Sequence, residues 1–211
     1  MIRNPLAIFI GLWAVLPFSL GAAIDSAFAQ SDDQVRTSVS VGVWIAWGLV
    51  LGSSIIRRPW GLTIMRILAP ATVPILLVTH WSATMPAGAL AIALSHAVLV
   101  SLFALLPETG HLMVDGLSYG DEKRFLLRVP TAVLFGPLPL VWAITVSGIF
   151  SGPILVTSGR WGVGLPLWGI GWTLAVFATR SMHQLARRWI VFVPNGFVIH
   201  DYLATREPFL L

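Results

Sequence analysis

His111 and Asp115 stand four residues apart and are followed by Asp121 and Glu122, the densest group of acid, base and metal-ligating side chains in this 211-residue chain. If residues 111–115 are helical, the imidazole and the carboxylate share one face. With Asp121 and Glu122 they could then act as acid, base or metal ligands on lipid head groups at a membrane surface. No His-Glu-x-x-His, phosphate-binding glycine loop or nucleophile elbow accompanies them. The plainer account is a solvated interfacial loop, and neither a metal nor a cofactor is expected. His96, beside Ser95, is the other candidate, because an ionisable side chain inside an apolar segment is a proton-relay or ligand hypothesis by default. Its plainer account is a neutral imidazole hydrogen-bonded to a neighbouring helix. Heme ligation is not expected, since His80 and His96 fall at different depths.

The elements that must position these residues follow from composition. Hydrophobic residues make up 56% of the chain, charged residues 10%, and the mean hydropathy is +0.84. A water-soluble domain carries about 25% charged residues, so an integral membrane protein is the class that fits. Disorder is excluded by hydrophobicity, and a disulfide scaffold by the absence of cysteine. A spanning helix needs about 20 apolar residues, and six stretches qualify, near residues 5–24, 38–56, 61–80, 87–106, 131–150 and 161–179. The expected fold is an all-α transmembrane bundle over residues 1–186, followed by a tail at 187–211. Prolines inside the spans are compatible with a membrane, where neighbouring helices satisfy the freed carbonyls. Arg66 lies inside the third span, where its stem can run along the helix to place its head among lipid phosphates.

With the N-terminus inside, eleven of the thirteen Lys and Arg residues fall on the inner side, and only Arg36 and Arg160 on the outer. By the positive-inside rule both termini are cytoplasmic and the protein sits in the cell membrane. The pI near 10.7 is then a topology signal rather than a nucleic-acid footprint. Arg3, the first apolar stretch and Ala27-Phe28-Ala29 imitate a signal peptide. The stretch is long and Asp25 precedes the site, so an uncleaved first helix is expected. Leu106-Pro107-Glu108-Thr109-Gly110 imitates a sortase sorting signal, but two further spans follow, and Pro107 is read as the stop of the fourth helix. Gly48 with Gly52 is a better candidate for close packing than Gly148 with Gly152, although in a glycine-rich chain such spacings arise easily by chance. Trp168 and Trp172 share one helical face.

Two inner segments remain. Residues 107–128 hold turn signals at Asp115-Gly116 and Tyr119-Gly120-Asp121, between short apolar runs that suggest a small hairpin. After the last span, apolar β-branched and aromatic runs flank Pro194-Asn195-Gly196, a strong hairpin signal. An isolated two-stranded hairpin is marginal in water. This one needs a partner: the 107–128 loop, the membrane surface, another subunit or a continuation of the chain. Its candidate contact residues are Trp189, Phe192, Asn195, Gly196 and Phe197. Gly116-Leu117-Ser118-Tyr119-Gly120-Asp121-Glu122, Arg188 to Gly196 and His200-Asp201 resemble segments of an uncharacterised actinobacterial family of polytopic membrane proteins. That resemblance implies a multi-pass fold and no assigned activity. The expected function is a non-enzymatic accessory or assembly subunit that uses its loop and hairpin to bind a protein partner or a second copy. The alternatives are a transporter or channel for a neutral or lipid-like solute, and a membrane enzyme acting on lipid head groups.

Overall fold

The computed structural model describes residues 4–82, 86–118, 120–201 and 209–210. Tyr119 of the expected turn, and Arg3 and Arg206 of the charge asymmetry, lie outside the described residues. The first helix, α1 (Pro5–Ala27), starts where local chemistry allows it: the Asn4 side chain accepts the Ala7 N–H at 3.1 Å, and Pro5 occupies the first turn, where its missing N–H costs nothing. There follow α2 (Asp33–Ile56), α3 (Pro59–Ser82), α4 (Ala87–Leu105), α5 (Pro107–Asp115), β1 (Lys123–Leu126), α6 (Thr131–Phe135), α7 (Pro137–Thr157), α8 (Trp161–Ala186), β2 (Trp189–Val193), β3 (Gly196–His200) and β4 (Phe209–Leu210). Six helices, α1 to α4, α7 and α8, are long and apolar enough to cross a membrane.

Three expectations change. The fifth span does not begin at 131. Pro137 and Pro139 remove two backbone donors, the helix breaks at Gly136 into α6 and α7, and α7 runs on to Thr157. The sixth span likewise runs past 179 to Ala186. The 107–128 loop is not a hairpin of its own. Pro107 starts a helix whose Met113 and Val114 bury against the bundle, and only its second apolar run becomes a strand.

The core is built by α1, α3 and α4, with Leu6, Phe9, Trp13, Leu62, Met65, Ala97 and Val100 almost fully enclosed. Lipid is as apolar as leucine, so close shape matching rather than water exclusion holds such helices together. The glycines show this most directly. A Cβ on Gly148 would run into the Gly171 backbone, and one on Gly152 into the Trp168 backbone. The pair at 148 and 152 therefore seats α7 on α8. The pair ranked ahead of it, Gly48 and Gly52, has no such contact: a Cβ at either meets nothing within 4 Å.

Pro17 interrupts α1 and deprives the Trp13 carbonyl of its helical donor. The Trp47 indole N–H of α2 donates to that carbonyl at 2.9 Å, and the Trp13 indole N–H donates to the Trp47 carbonyl at 2.9 Å. Two helices are thus joined by a reciprocal pair of bonds at the point where the backbone ladder of one of them lacks a bond.

The tail hairpin forms as expected, closing over the two-residue turn Pro194-Asn195 with Val193 opposite Gly196. It belongs to an antiparallel sheet of order β1-β2-β3-β4. The loop strand β1 pairs with β2 through Lys123 opposite Phe192 and Leu126 opposite Trp189, and β4 pairs with β3. The loop is therefore the partner that the hairpin lacked.

Candidate functional site

Residues directly opposite in a sheet point to the same face. One face carries Leu126, Trp189 and Val191, and it turns towards the bundle: Leu126 and Val191 are buried, and Leu126 and Trp189 join the core. The other face carries Lys123, Phe125, Ile190, Phe192, Phe197 and Ile199. Phe125 is 43% exposed and Phe192 48%, and their rings meet edge to face with centroids 5.6 Å apart. Phe197 lies 6.1 Å beyond Phe192, continuing an aromatic stripe across three strands.

Three of the four polar candidates of the loop, His111, Asp115 and Glu122, help to build this sheet. The helix brings His111 and Asp115 to one face of α5, as their spacing implied. His111 Nδ1 accepts the Leu126 N–H at 3.0 Å, and Asp115 Oδ1 accepts the Arg124 N–H at 3.0 Å. Arg124 and Leu126 alternate along β1, so two residues of α5 cover successive backbone donors on the open edge of the sheet. An exposed edge invites pairing with another chain, and here side chains close it. Asp115 Oδ1 also accepts the Ser118 hydroxyl at 2.9 Å, which fixes the turn. Glu122 forms an ion pair with Arg124 at 3.0 Å, and Asp121 is exposed. Among the described residues no group of three acidic or histidine side chains converges as a metal site.

His111 is held below the ordinary histidine pKa, chiefly by desolvation, with Glu108 acting in the opposite direction and Arg66 and Arg128 adding to the lowering. The geometry has the same requirement, because Nδ1 must keep its lone pair to accept the Leu126 N–H. Arg66 departs from expectation. Its guanidinium lies beneath α5 rather than among lipid phosphates: Nε donates to the Ala104 carbonyl at 3.4 Å, and a Cβ on Gly110 would stand 2.9 Å from Nη2. A cation at the last turn of α4 is favourably placed against the helix dipole.

His96 has both ring nitrogens engaged across helices. Nε2 donates to the Leu12 carbonyl at 3.0 Å, and the Ser19 hydroxyl lies 2.6 Å from Nδ1. Leu12 offers only an acceptor, so Nε2 carries a proton, while the Ser19 hydroxyl beside Nδ1 also reaches the Leu16 carbonyl at 3.0 Å. Ser95 is exposed and takes no part. The five hairpin candidates also divide. Phe192 and Phe197 face outward, Trp189 faces inward, and Asn195 and Gly196 lie at the turn.

The sequence reading missed Arg188, which is 7% exposed and grips Asp201 through two bonds of 2.7 Å. Its Nη1 also donates to the Arg128 carbonyl at 3.3 Å. One guanidinium thereby ties the end of α8 to both strands beside it. The only sequence signal was an arginine and an aspartate flanking a hairpin. Phe125 was missed as well, because its membership of the outward stripe depends on a register between distant segments. Comparison with family profiles, characterised proteins and solved structures finds no significant match to this chain.

Proposed function

We propose that the protein is a non-enzymatic membrane subunit, with both termini cytoplasmic, whose four-stranded sheet presents the stripe of Phe125, Phe192 and Phe197 to a partner protein. The outward apolar face carries this reading. An aromatic patch at the water-facing end of a bundle is costly to leave bare, and aromatic anchors ringed by polar groups are the usual centre of a protein interface. The face is complementary to an apolar strip with a carboxylate placed against Lys123. At the β1 edge strand addition is disfavoured, because α5 closes that edge. Asp115, Glu122 and His111 hold structural bonds and Asp121 stands exposed, which disfavours the enzymatic reading. For the transporter reading, the His96 ring is spoken for on both sides.

A photoreactive amino acid at Phe192 or Phe197 in native membranes tests the proposal. A discrete protein adduct from both positions, absent at inward Val191 and lost in Phe125→Asp, is expected. Adducts to lipid alone would mean that the face lies on the bilayer and would refute a protein partner. The chain has no cysteine, so Asn195→Cys and Ser31→Cys report sidedness with an impermeant maleimide. Labelling of Asn195→Cys on intact cells would overturn the orientation.

A further inference from the structure

A cavity of about 480 Å³ opens between α1, α2, α3 and the Phe150 side chain of α7. At one end it is lined by Trp13 and Trp47, each bonded to the other's carbonyl beside Pro17, and at the other end by Asp25 and Arg36. From Trp13 to Asp25 along α1 is about 18 Å at 1.5 Å per residue. One leaflet of a hydrocarbon core about 30 Å thick spans about 15 Å. The cavity is therefore as deep as one lipid chain is long, and it stops near mid-membrane rather than crossing. Its walls are apolar apart from hydroxyls such as Ser40 and Thr72, and the Thr72 hydroxyl is committed to the Ala69 carbonyl at 2.7 Å.

The mouth carries one charge of each sign. Asp25 makes no ion pair among the described residues, and Arg36 has only a 4.0 Å approach to the fully exposed Asp33, a contact of little strength in water. Both are free to meet a ligand at the depth where lipid head groups sit. From the depth, the blind apolar floor and the bipolar mouth, we infer that this cavity binds one hydrocarbon chain of a phospholipid with an amine-bearing head group. The phosphate lies on Arg36 and the ammonium on Asp25. This site is separate from the sheet and does not depend on the partner proposed above.

Gly21 supplies a clean test. It lines the cavity, and a Cβ there meets nothing within 4 Å, so Gly21→Trp can fill the space without displacing the protein. The protein is reconstituted in nanodiscs containing phosphatidylethanolamine with a photoreactive acyl chain, and labelled peptides are mapped by mass spectrometry. Labelling concentrated on α1 and α2 is expected, falling at least tenfold in Gly21→Trp, while Gly21→Ala, monodisperse like the wild type, keeps it. Arg36→Gln should weaken capture of phosphatidylethanolamine and phosphatidylglycerol alike. Asp25→Asn should weaken capture of phosphatidylethanolamine alone. Equal labelling of Gly21→Trp and wild type, or labels spread evenly over all lipid-facing helices, would reduce the site to ordinary boundary lipid and overturn the inference. A photoreactive free fatty acid that competes as well as the phospholipid would refute recognition of the head group.

Discussion

Removing the lone pair of His111 should loosen β1 without unfolding the bundle. The bond from the Leu126 N–H to Nδ1 is 3.0 Å, and Leu126 is 8% exposed, so water cannot readily replace the acceptor. An unsatisfied buried donor costs about 1–3 kcal/mol. The edge-to-face contact of His111 with Phe125, at 5.6 Å, contributes about 0.5–1.5 kcal/mol more. His111→Phe keeps a ring and loses the acceptor, which isolates the first quantity. At about 2 kcal/mol, the amides of β1 should exchange about 30-fold faster. Protonation performs the same experiment reversibly. The folded pKa of His111 lies below the ordinary value, so at acidic pH the unfolded chain binds more protons than the folded one. The contribution to stability is complete above about pH 6.5 and is lost as pH falls through that value towards the folded pKa. Hydrogen exchange of the β1 peptide in nanodiscs, corrected for intrinsic rate, should show a loss of protection in wild type across this window. His111→Phe should be unprotected on both sides of it. Protection of β1 that ignores both pH and the substitution would refute the edge-capping role.

Three further outcomes follow from other contacts. Asp201→Asn leaves Arg188 charged and largely enclosed, and breaking such a pair costs about 3–5 kcal/mol; limited proteolysis should cut between α8 and β3, where the wild type resists. Gly148→Ala and Gly152→Ala force the α7–α8 contact apart, and thermal unfolding in detergent should register about 1–3 kcal/mol of overpacking, whereas Gly48→Ala and Gly52→Ala should be neutral or slightly stabilising. Trp47→Phe removes the donor to the Trp13 carbonyl and should cost about 1–3 kcal/mol, but less in a Pro17→Ala background, where a backbone N–H returns to that carbonyl; equal costs in both backgrounds would deny the compensation.

The six long apolar helices were legible because a helix able to cross a membrane needs a set length and composition, and that signal is local. Their ends were less so, since whether α8 stops at 179 or continues to Ala186 depends on what the last turns pack against, such as the 2.9 Å contact of His183 with Thr63. The glycine pairs were ranked in the wrong order because spacing is identical at 48/52 and 148/152, and only the position of α8 distinguishes them. The polar loop was legible as a group and not as a role. His111 and Asp115 were placed on one face by their spacing, but what that face meets is the backbone of β1, whose position is fixed by pairing with a strand more than sixty residues away in sequence.

That long-range pairing carries a consequence for biogenesis. β1 precedes α7 in the chain, and β2 follows α8. If α7 and α8 cross a bilayer, as their length and apolarity allow, the two strands can meet only after both crossings have returned the chain to the side it left. A molecule in which α8 failed to cross would then strand β2 in the opposite compartment, with Arg188 and β1 left unmatched. The sheet would work as a latch that only correctly threaded chains can close, and its outward stripe would be completed only in those molecules. A partner that reads the stripe would at the same time be selecting subunits whose final helical hairpin is in place.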